Sequence, residues 1–498
     1  MSDQFFIKTF GCQMNVSDSE RMSALLADQG MTPTNAVKEA KVIIINGCTV
    51  REKAVHKALS ALGELQILKK KEEGGPLIGI GGCVGQLDKE NLFKRAPYLD
   101  FVFGTDTLDN LPEIIHRVKN GERHVVFADF DKSMDYSTET KVLGAKAQAF
   151  VNIMKGCDKY CTYCIVPFTR GKEKSRTIDE VVDDIARLVA SGVREVTLLG
   201  QNVNSFGKGN PNIRNRQPLE LHNIIGKVGP RAGEENFPQL LRAIDKDPRC
   251  AELKRIRFTS SHPLDFSDEL IDCYRTVSRL SPYLHLPVQS GSNRVLQKMG
   301  RHHQIEAYIA QMDRLREICP TLGLSTDIIV GFPTETEEDF QETLKLLDRI
   351  QYDSVYAFAY SPRPGTRAAK LPDTVPVAEK KERLNRLLNH QRAIAETRHQ
   401  ARIGRVLEVL VEGESKKQDA ESDSDWNLKP RSEPDLDPNP NRIRKWNGRS
   451  NCHCLVTFTT DSPRNLTGKF VQVEITGSAR QALFGKLVLD TQERVDLS

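Results

Sequence analysis

The chain has no apolar stretch approaching the roughly 20 residues that a membrane-spanning helix requires, so no span is expected. Its opening, MSDQFFIKTF, has no basic region followed by an apolar run and a cleavage site, which argues against secretion. Eleven cysteines is an odd number, and with no sign of export a disulfide framework is not expected; the thiols should stay reduced in a cytoplasmic location. Charge of one sign is scarce too. A formal net charge of +4 on 498 residues neither demands nor excludes a nucleic-acid partner, so any basic surface must be local. What the chain does have is length: 498 residues exceed one ordinary core, and several domains follow.

The most informative stretch is KGCDKYCTYCIVPFTRGKEKSR, residues 155 to 176. Cys157, Cys161 and Cys164 stand in a C-x3-C-x2-C spacing, which lets three thiolates of one loop converge on three corners of a cubane iron-sulfur cluster. The fourth iron then has no ligand from this loop. An iron left open can chelate a small molecule through an amine and a carboxylate, which is how a cluster engages S-adenosylmethionine and passes it an electron. The spacing, with Tyr163 just before the last cysteine, resembles that of radical S-adenosylmethionine (SAM) enzymes. The alternatives are a structural zinc loop or three unrelated buried thiols. Zinc wants four ligands in a closed tetrahedron, and no fourth Cys or His sits at finger-like spacing.

Residues 1 to 140 repeat one unit three times. Short apolar runs of strand type, Phe5 to Thr9, Lys41 to Asn46 and Leu77 to Ile80, are each followed by Gly-Cys: Gly11-Cys12, Gly47-Cys48 and Gly82-Cys83. Helix-like stretches come next, as in 18 to 28 and 50 to 71. The cysteines lie 36 and then 35 residues apart, about one βα unit. A parallel sheet would therefore set all three beyond the carboxyl ends of its strands. A glycine before each cysteine lets the backbone approach a bulky ligand. This pattern predicts a second, three-cysteine iron-sulfur cluster at Cys12, Cys48 and Cys83, the alternative being three structural thiols.

Residues 125 to 148 read as a polar linker. From residue 147 to 375, strand candidates Phe150 to Met154, Glu195 to Leu199, Arg255 to Thr259, Tyr283 to Val288, Leu324 to Val330 and Ser354 to Tyr360 alternate with helical stretches such as Ile178 to Ala190 and Glu337 to Ile350. Six βα units form an incomplete TIM-like barrel, with its chemistry at the carboxyl ends of the strands. The cysteine loop follows the first strand. Polar groups follow others: Gly200, Gln201 and Asn202 after the second and Ser260, Ser261 and His262 after the third, while Ser325 and Asp327 alternate inward on the fifth. These, with Tyr163, are the candidates to hold the cofactor. A segment at 207 to 237 reads as an insertion without an assignable activity.

Residues 376 to 402 read as a connecting helix, and 403 to 498 change to a period of two, predicting a small antiparallel β-barrel. The segment 414 to 441 is an acidic, proline-rich loop. Arg442, Arg444, Lys445, Trp446 and Arg449 then make a local basic run with an aromatic, able to grip phosphates and stack a base.

The motifs TFGCQMNVSDSE (9 to 20), GCTVREKA (47 to 54), the 156 to 176 stretch, LLGQNVNSFG (198 to 207), RIRFTSSHP (255 to 263), HLPVQSGSNRVLQKM (285 to 299), STDIIVGFPTETEEDF (325 to 340) and YSPRPGTRAAKL (360 to 371) together resemble the tRNA methylthiotransferases, and the C-terminal module resembles a TRAM domain. The Gly11 to Asn15 opening and the Gly200 to Asn204 turn are similar to the branch acting on isopentenylated adenosine at position 37. Branches acting on threonylcarbamoyl adenosine or on a ribosomal-protein side chain are the alternative. The insertion, the acidic loop and Cys452-His453-Cys454 depart from the family pattern.

The resemblance implies a division of labour. A cluster at Cys157, Cys161 and Cys164 would cleave one SAM to a 5'-deoxyadenosyl radical. A cluster at Cys12, Cys48 and Cys83 would hold sulfur, take a methyl group from a second SAM and deliver methylthio to carbon 2 of the base. Arg170, Glu173 and Arg176 become candidates to orient the nucleotide, and Arg444, Lys445 and Arg449 to contact the tRNA anticodon stem-loop. It also implies an external electron donor such as a flavodoxin or ferredoxin, sulfur and iron-sulfur assembly proteins as partners, and a monomer. An electron carrier or iron-sulfur storage protein would instead need fully ligated clusters and no cofactor pocket.

Overall fold

A computed structural model describes residues 3–50, 52–71, 75–130, 139, 140, 144, 146–208, 235–415, 444–460, 464–479 and 482–488. The N-terminal unit is a six-stranded parallel sheet in the order β2-β1-β3-β4-β5-β6. Its strands are β1 (Gln4–Phe10), β2 (Thr32–Pro33), β3 (Val42–Gly47), β4 (Leu77–Gly81), β5 (Phe101–Phe103) and β6 (Val125–Phe127). The central β3 is buried along its whole length and reads as an apolar run from Val42 to Ile45, because a parallel strand with helices on both faces has no wet side. Helices α1 (Gln13–Asp28) and α5 (Leu111–Lys119) pack on one face; α2 (Glu52–Lys71), α3 (Gly82–Asp88) and α4 (Asn91–Arg95) pack on the other.

The chain reverses its direction across the sheet between β1 and β3, and in open α/β sheets ligands bind at such a switch point. Cys12 follows β1, Cys48 follows β3 and Cys83 follows β4. The three strands expected from the Gly-Cys repeats are all present. Residues 125 to 127, read above as the start of the linker, instead form the sixth strand and pair with β5.

The second unit holds β7 (Gln148–Asn152), the short antiparallel pair β8 (Met154–Lys155) and β9 (Lys174–Ser175), β10 (Glu195–Leu199), β11 (Arg255–Phe258), β12 (Tyr283–His285), β13 (Gly323–Val330) and β14 (Ser354–Ala359). Two three-stranded parallel sheets, β7-β10-β11 and β12-β13-β14, are joined by a parallel bridge between Ile256 and Leu280. The result is six strands of an incomplete barrel. Its helices are α6 (Val166–Arg170), α7 (Ile178–Ala190), α8 (Phe237–Lys246), α9 (Asp268–Thr276), α10 (Asn293–Lys298), α11 (Ile305–Ile318) and α12 (Glu337–Ile350). Much of the predicted insertion, residues 209–234, lies outside the described residues.

Helix α13 (Val377–Gln400) leads to a closed five-stranded barrel, β15 (Val406–Glu414), β16 (Arg444–Ser450), β17 (Leu455–Thr460), β18 (Phe470–Ser478) and β19 (Leu483–Leu487), in the order β15-β16-β17-β19-β18. Nearly all of the predicted acidic loop, 416–441, lies outside the described residues. Of the basic run, Arg442 lies outside the described residues and the rest lies on β16, whose alternation turns Trp446 into the barrel core at 2% exposure, so the expectation that it stacks a base is overturned. The turn after β16 enters the amino-end mouth of the larger barrel. Arg257 donates to the Ser450 carbonyl at 2.7 Å, Ser281 Oγ to that of Asn451 at 2.5 Å, and the His453 ring lies 4.5 Å from that of Tyr283. Among the described residues no helix is long and apolar enough to cross a membrane.

Asp353, at the amino end of β14, ties these parts together. It accepts from Arg398 Nε at 2.8 Å, Arg402 at 2.7 Å and the Leu324 backbone at 2.8 Å. Burial alone would raise its carboxyl; the bonds to Arg398 and the charge of Arg402 outweigh it and hold the group below the usual range. Asp353→Ala leaves two guanidinium groups unpaired and should lower stability by about 3–5 kcal/mol in denaturant melts. A loss below about 1 kcal/mol would remove Asp353 from this role.

Candidate active site

Three thiols meet at the switch point of the N-terminal sheet. Cys12 caps α1, its backbone N–H and its Sγ both directed at Asn15 Oδ1, at 3.4 and 3.3 Å. Beneath them Asn15 and Asn46 form a buried amide pair, with Asn15 Nδ2 donating to Asn46 Oδ1 at 3.1 Å and Asn46 Nδ2 to the Asn15 carbonyl at 2.7 Å. The preceding glycines have a tighter reason than ligand approach. A Cβ on Gly11 would lie 2.5 Å from Cys48 Cβ, and one on Gly82 would strike Asn46 Oδ1. Glycine lets the three Gly-Cys corners close on one another.

Cys48 and Cys83 are buried and Cys12 is exposed, so the triad has one open side. Cys12 and Cys83 are each drawn down to about 6, first by hydrogen bonds with Cys48 and then, against burial, by the charge of Arg170; Cys48 is pushed up by the same hydrogen bonds. Arg170 sits on α6, six residues beyond Cys164. It makes a bidentate pair with Asp18 of α1, Nη2 to Oδ2 at 2.6 Å and Nη1 to Oδ1 at 3.3 Å, and is buried. Thr105 Oγ1 also donates to the Thr169 carbonyl at 2.6 Å. The helix that follows the barrel's cysteine loop thus forms a wall of the N-terminal thiol site.

The barrel's own triad lies on a loop whose ends are pinned by the β8-β9 pair. Gly156 has φ +77°, and a Cβ there would strike the Lys172 carbonyl, so only glycine fits. The Cys157 N–H bonds the Gly171 carbonyl at 3.2 Å, that of Cys164 bonds the Cys161 carbonyl at 3.0 Å, and Thr162 is held on both sides by Met299 and Ala368 at 2.8 Å each. The Val166 N–H points at Cys164 Sγ from 3.5 Å and Arg301 Nη1 at Cys161 Sγ from 3.9 Å. Burial pushes Cys157 up and Cys164 up to about 12. Such thiols ionise at neutral pH when a cation binds them. Among the described residues no three Cys, His, Asp or Glu are arranged around a single metal ion. Thiolates that each hold a different iron of a cluster need not point at one centre.

Several expected cofactor residues rim this loop with unused polar atoms. Gln201 Oε1 accepts from the Gly156 N–H, while its Nε2 has no partner. Asn202 Nδ2 donates to Asp265 at 2.8 Å and its Oδ1 has none; Ser261 Oγ, His262 Nε2, Arg301 Nε and both ring nitrogens of His303 are likewise buried and unpaired. Buried polar atoms require partners, so this rim fits a ligand rich in polar groups. Gly200 abuts Met154, and Ser260 takes a positive φ of 65°. Tyr163 packs against the apolar cluster of Val295, Met299, Phe332, Tyr360 and Ala368. Ser325 lies deeper in the lumen, bonded to Tyr283 OH at 2.7 Å and His285 Nδ1 at 2.8 Å, and Asp327 lies 3.6 Å from His285 Nε2.

Of the residues expected to orient the nucleotide, Arg170 is engaged by Asp18, and Arg176 is buried against Asp184 at 2.8 Å and the Asn152 carbonyl at 3.1 Å. Glu173 is buried near Asp158, Asp265 and Lys159. Lys445 is exposed on β16; Arg444 is half-buried, and Arg449 lies 3.4 Å from Glu412. Arg301, His303, Asp18 and the Asp265 pairs with Lys159 and Lys208, both 2.7 Å, escaped the sequence reading. Arg301 stands just two residues past the HLPVQSGSNRVLQKM motif at 285 to 299, which was the available signal.

Residues 4–104 match the family described as uncharacterized protein family UPF0004, and residues 151–347 match the radical SAM superfamily. Among solved structures, the radical S-adenosylmethionine methyltransferase TsrM from Kitasatospora setae aligns with a TM-score of 0.51 at 14% identity, over 74% of this chain and 75% of that one, a likeness of fold alone. Fold and matched families define a radical SAM protein with a second α/β domain.

A curated relative from Bdellovibrio bacteriovorus, tRNA-2-methylthio-N(6)-dimethylallyladenosine synthase, is 41% identical over 97% of this chain and 95% of its own length. The protein of that name from Klebsiella pneumoniae is 41% identical over 98% and 93%. The chain belongs to the tRNA-2-methylthio-N(6)-dimethylallyladenosine synthase family.

Burial raises the Glu173 carboxyl to about 7 against an opposing hydrogen bond with Ser205. A carboxyl raised in the folded state adds stability at low pH that is lost as pH climbs from its unfolded value through 7. In the anaerobically reconstituted protein, Glu173→Gln should therefore gain on the wild type by of the order of 1–3 kcal/mol between about pH 5 and pH 8. Parallel pH profiles of thermal stability would contradict this.

Proposed function

We propose that the chain adds a methylthio group to carbon 2 of isopentenylated adenosine at position 37 of tRNA, with two iron-sulfur clusters and two SAM molecules per turnover. The observation that carries the reading is the shared wall. Arg170, on the helix after Cys164, closes on Asp18 of the helix capped by Cys12, so a radical-generating site and a sulfur-holding site face one reaction space. Full-length identity to the synthases named above supports the substrate.

An aromatic C–H is too weakly acidic for side-chain bases, so the reaction requires radical chemistry. When bound, the cluster held by Cys157, Cys161 and Cys164 supplies the electron that cleaves SAM, and the one held by Cys12, Cys48 and Cys83 supplies a site for sulfur. The chain's own residues bind and orient. Arg301 offsets thiolate charge at Cys161, while Gln201, Asn202, Ser261 and His262 offer hydrogen bonds to the amine, carboxylate and ribose of SAM. Arg170 sets positive charge against the N-terminal thiolates, a positioning role in place of the nucleotide contact expected from sequence. Cys12 opens that triad toward the substrate. Lys445 and its neighbours on β16 are assigned to the RNA backbone, with an external one-electron donor and cluster-assembly partners in the cytoplasm.

Alanine at Cys12, Cys48 and Cys83 together should leave reductive SAM cleavage intact and abolish methylthio product. Alanine at Cys157, Cys161 and Cys164 should abolish 5'-deoxyadenosine formation. Each variant is incubated anaerobically with SAM, dithionite and tRNA carrying isopentenyladenosine without the methylthio group; mass spectrometry of the free small molecules reads 5'-deoxyadenosine, and of the digested tRNA nucleosides reads methylthio product. Methylthiolated tRNA from the first variant at the wild-type rate would return those thiols to a structural role.

A further inference from the structure

The sixth strand of the barrel has an unusual pattern. Along β14 the exposed residues are Ser354, Tyr356 and Phe358, while Val355 and Ala357 pack into the core shared with α13. Parallel register sets Ser325 beside Ser354, Asp327 beside Tyr356 and Ile329 beside Phe358. Side chains paired in register share a face, and the β13 partners face the lumen, where Ser325 and Asp327 approach His285. Tyr356 faces the same way, its ring edge-on to that of His285 at 5.8 Å. The strand therefore turns two aromatic rings toward the lumen, with Tyr356 45% and Phe358 38% exposed. Among the described residues β14 pairs only with β13, so this face borders the open side of the barrel.

Its position connects the two thiol sites. Ile329, beside Phe358, packs against the same apolar cluster, Val295, Met299, Phe332, Tyr360 and Ala368, as Tyr163 of the barrel's cysteine loop. Just beyond the strand, Ser361 Oγ donates to Glu52 at 2.7 Å and Arg363 to the Val50 carbonyl at 3.1 Å, on the segment that follows Cys48. A base presented between the triads therefore has this aromatic strip along one edge. We propose that Tyr356 and Phe358 form the bed for the N6-dimethylallyl chain of the substrate adenosine, and so select prenylated over unprenylated tRNA. The inference rests on the function proposed above. A branched five-carbon chain next to a polar purine calls for a surface that is apolar on one side and bounded by hydrogen-bonding groups on the other. Tyr356 and Phe358 supply the first, Asp327 and His285 the second.

The test measures binding of two anticodon stem-loops, one with isopentenyladenosine and one with adenosine at the target position, to reconstituted protein by fluorescence anisotropy. The wild type should prefer the prenylated RNA. Tyr356→Ala and Phe358→Ala should each lose about ten- to hundredfold of that preference, while Tyr356→Phe keeps it, at unchanged iron content and melting temperature. A preference surviving within about twofold in both alanine variants overturns the assignment. So does an equal weakening of both stem-loops, which would give the face to the base or ribose, and so does a wild type that binds both equally. A wild type that binds neither RNA overturns the proposed function itself.

Discussion

The buried pair between Arg170 and Asp18 is the contact on which the geometry of the site depends. It joins residues 152 positions apart, one on the helix capped by Cys12 and one on the helix that continues the barrel's cysteine loop. Removing a guanidinium and a carboxylate from water is costly, and a bidentate geometry is what offsets that cost. Either partner alone would be an unpaired buried charge, so the two domains are held in one relative orientation. The same guanidinium places positive charge beside the N-terminal thiols and favours their ionised form.

Each end of the barrel has a separate task. The turn after β16 fills the amino-end mouth through Arg257, Ser281 and Tyr283. The carboxyl end carries the cysteine loop and the rim of unpaired polar atoms, and the N-terminal thiol site lies against it through α6. Among the described residues the six strands fall short of a closed barrel, which leaves an opening at its side. A macromolecular substrate needs such an opening, since one base must reach the chemistry while its chain stays outside.

Local signals made the cysteine sites and most barrel strands legible. Thiol spacing within one loop, and Gly-Cys at three strand ends, are short-range patterns, and Glu195–Leu199, Ile178–Ala190 and Glu337–Ile350 stand at the bounds their periodicity suggests. Short strands were hidden: β2 has two residues, and β5 and β6 three each, too few to show a period. Strand β16 was masked by its charges, because Arg444, Lys445 and Arg449 drew attention from the inward alternation of Trp446, Gly448 and Ser450. Arg170 and Arg176 looked like nucleotide contacts because a sequence lists cations without their partners; Asp18 and Asp184 become visible only once the chain has folded.

The central claim is that one chain carries two separate three-cysteine cluster sites that share a wall. It is tested most directly by iron and acid-labile sulfide counts after anaerobic reconstitution, on the wild type and on variants with one triad replaced by alanine. The account predicts about eight irons per wild-type chain and about four in each variant, with the surviving cluster visible by electron paramagnetic resonance after reduction with dithionite. About four irons in the wild type, or loss of all iron on removing either triad, would contradict it.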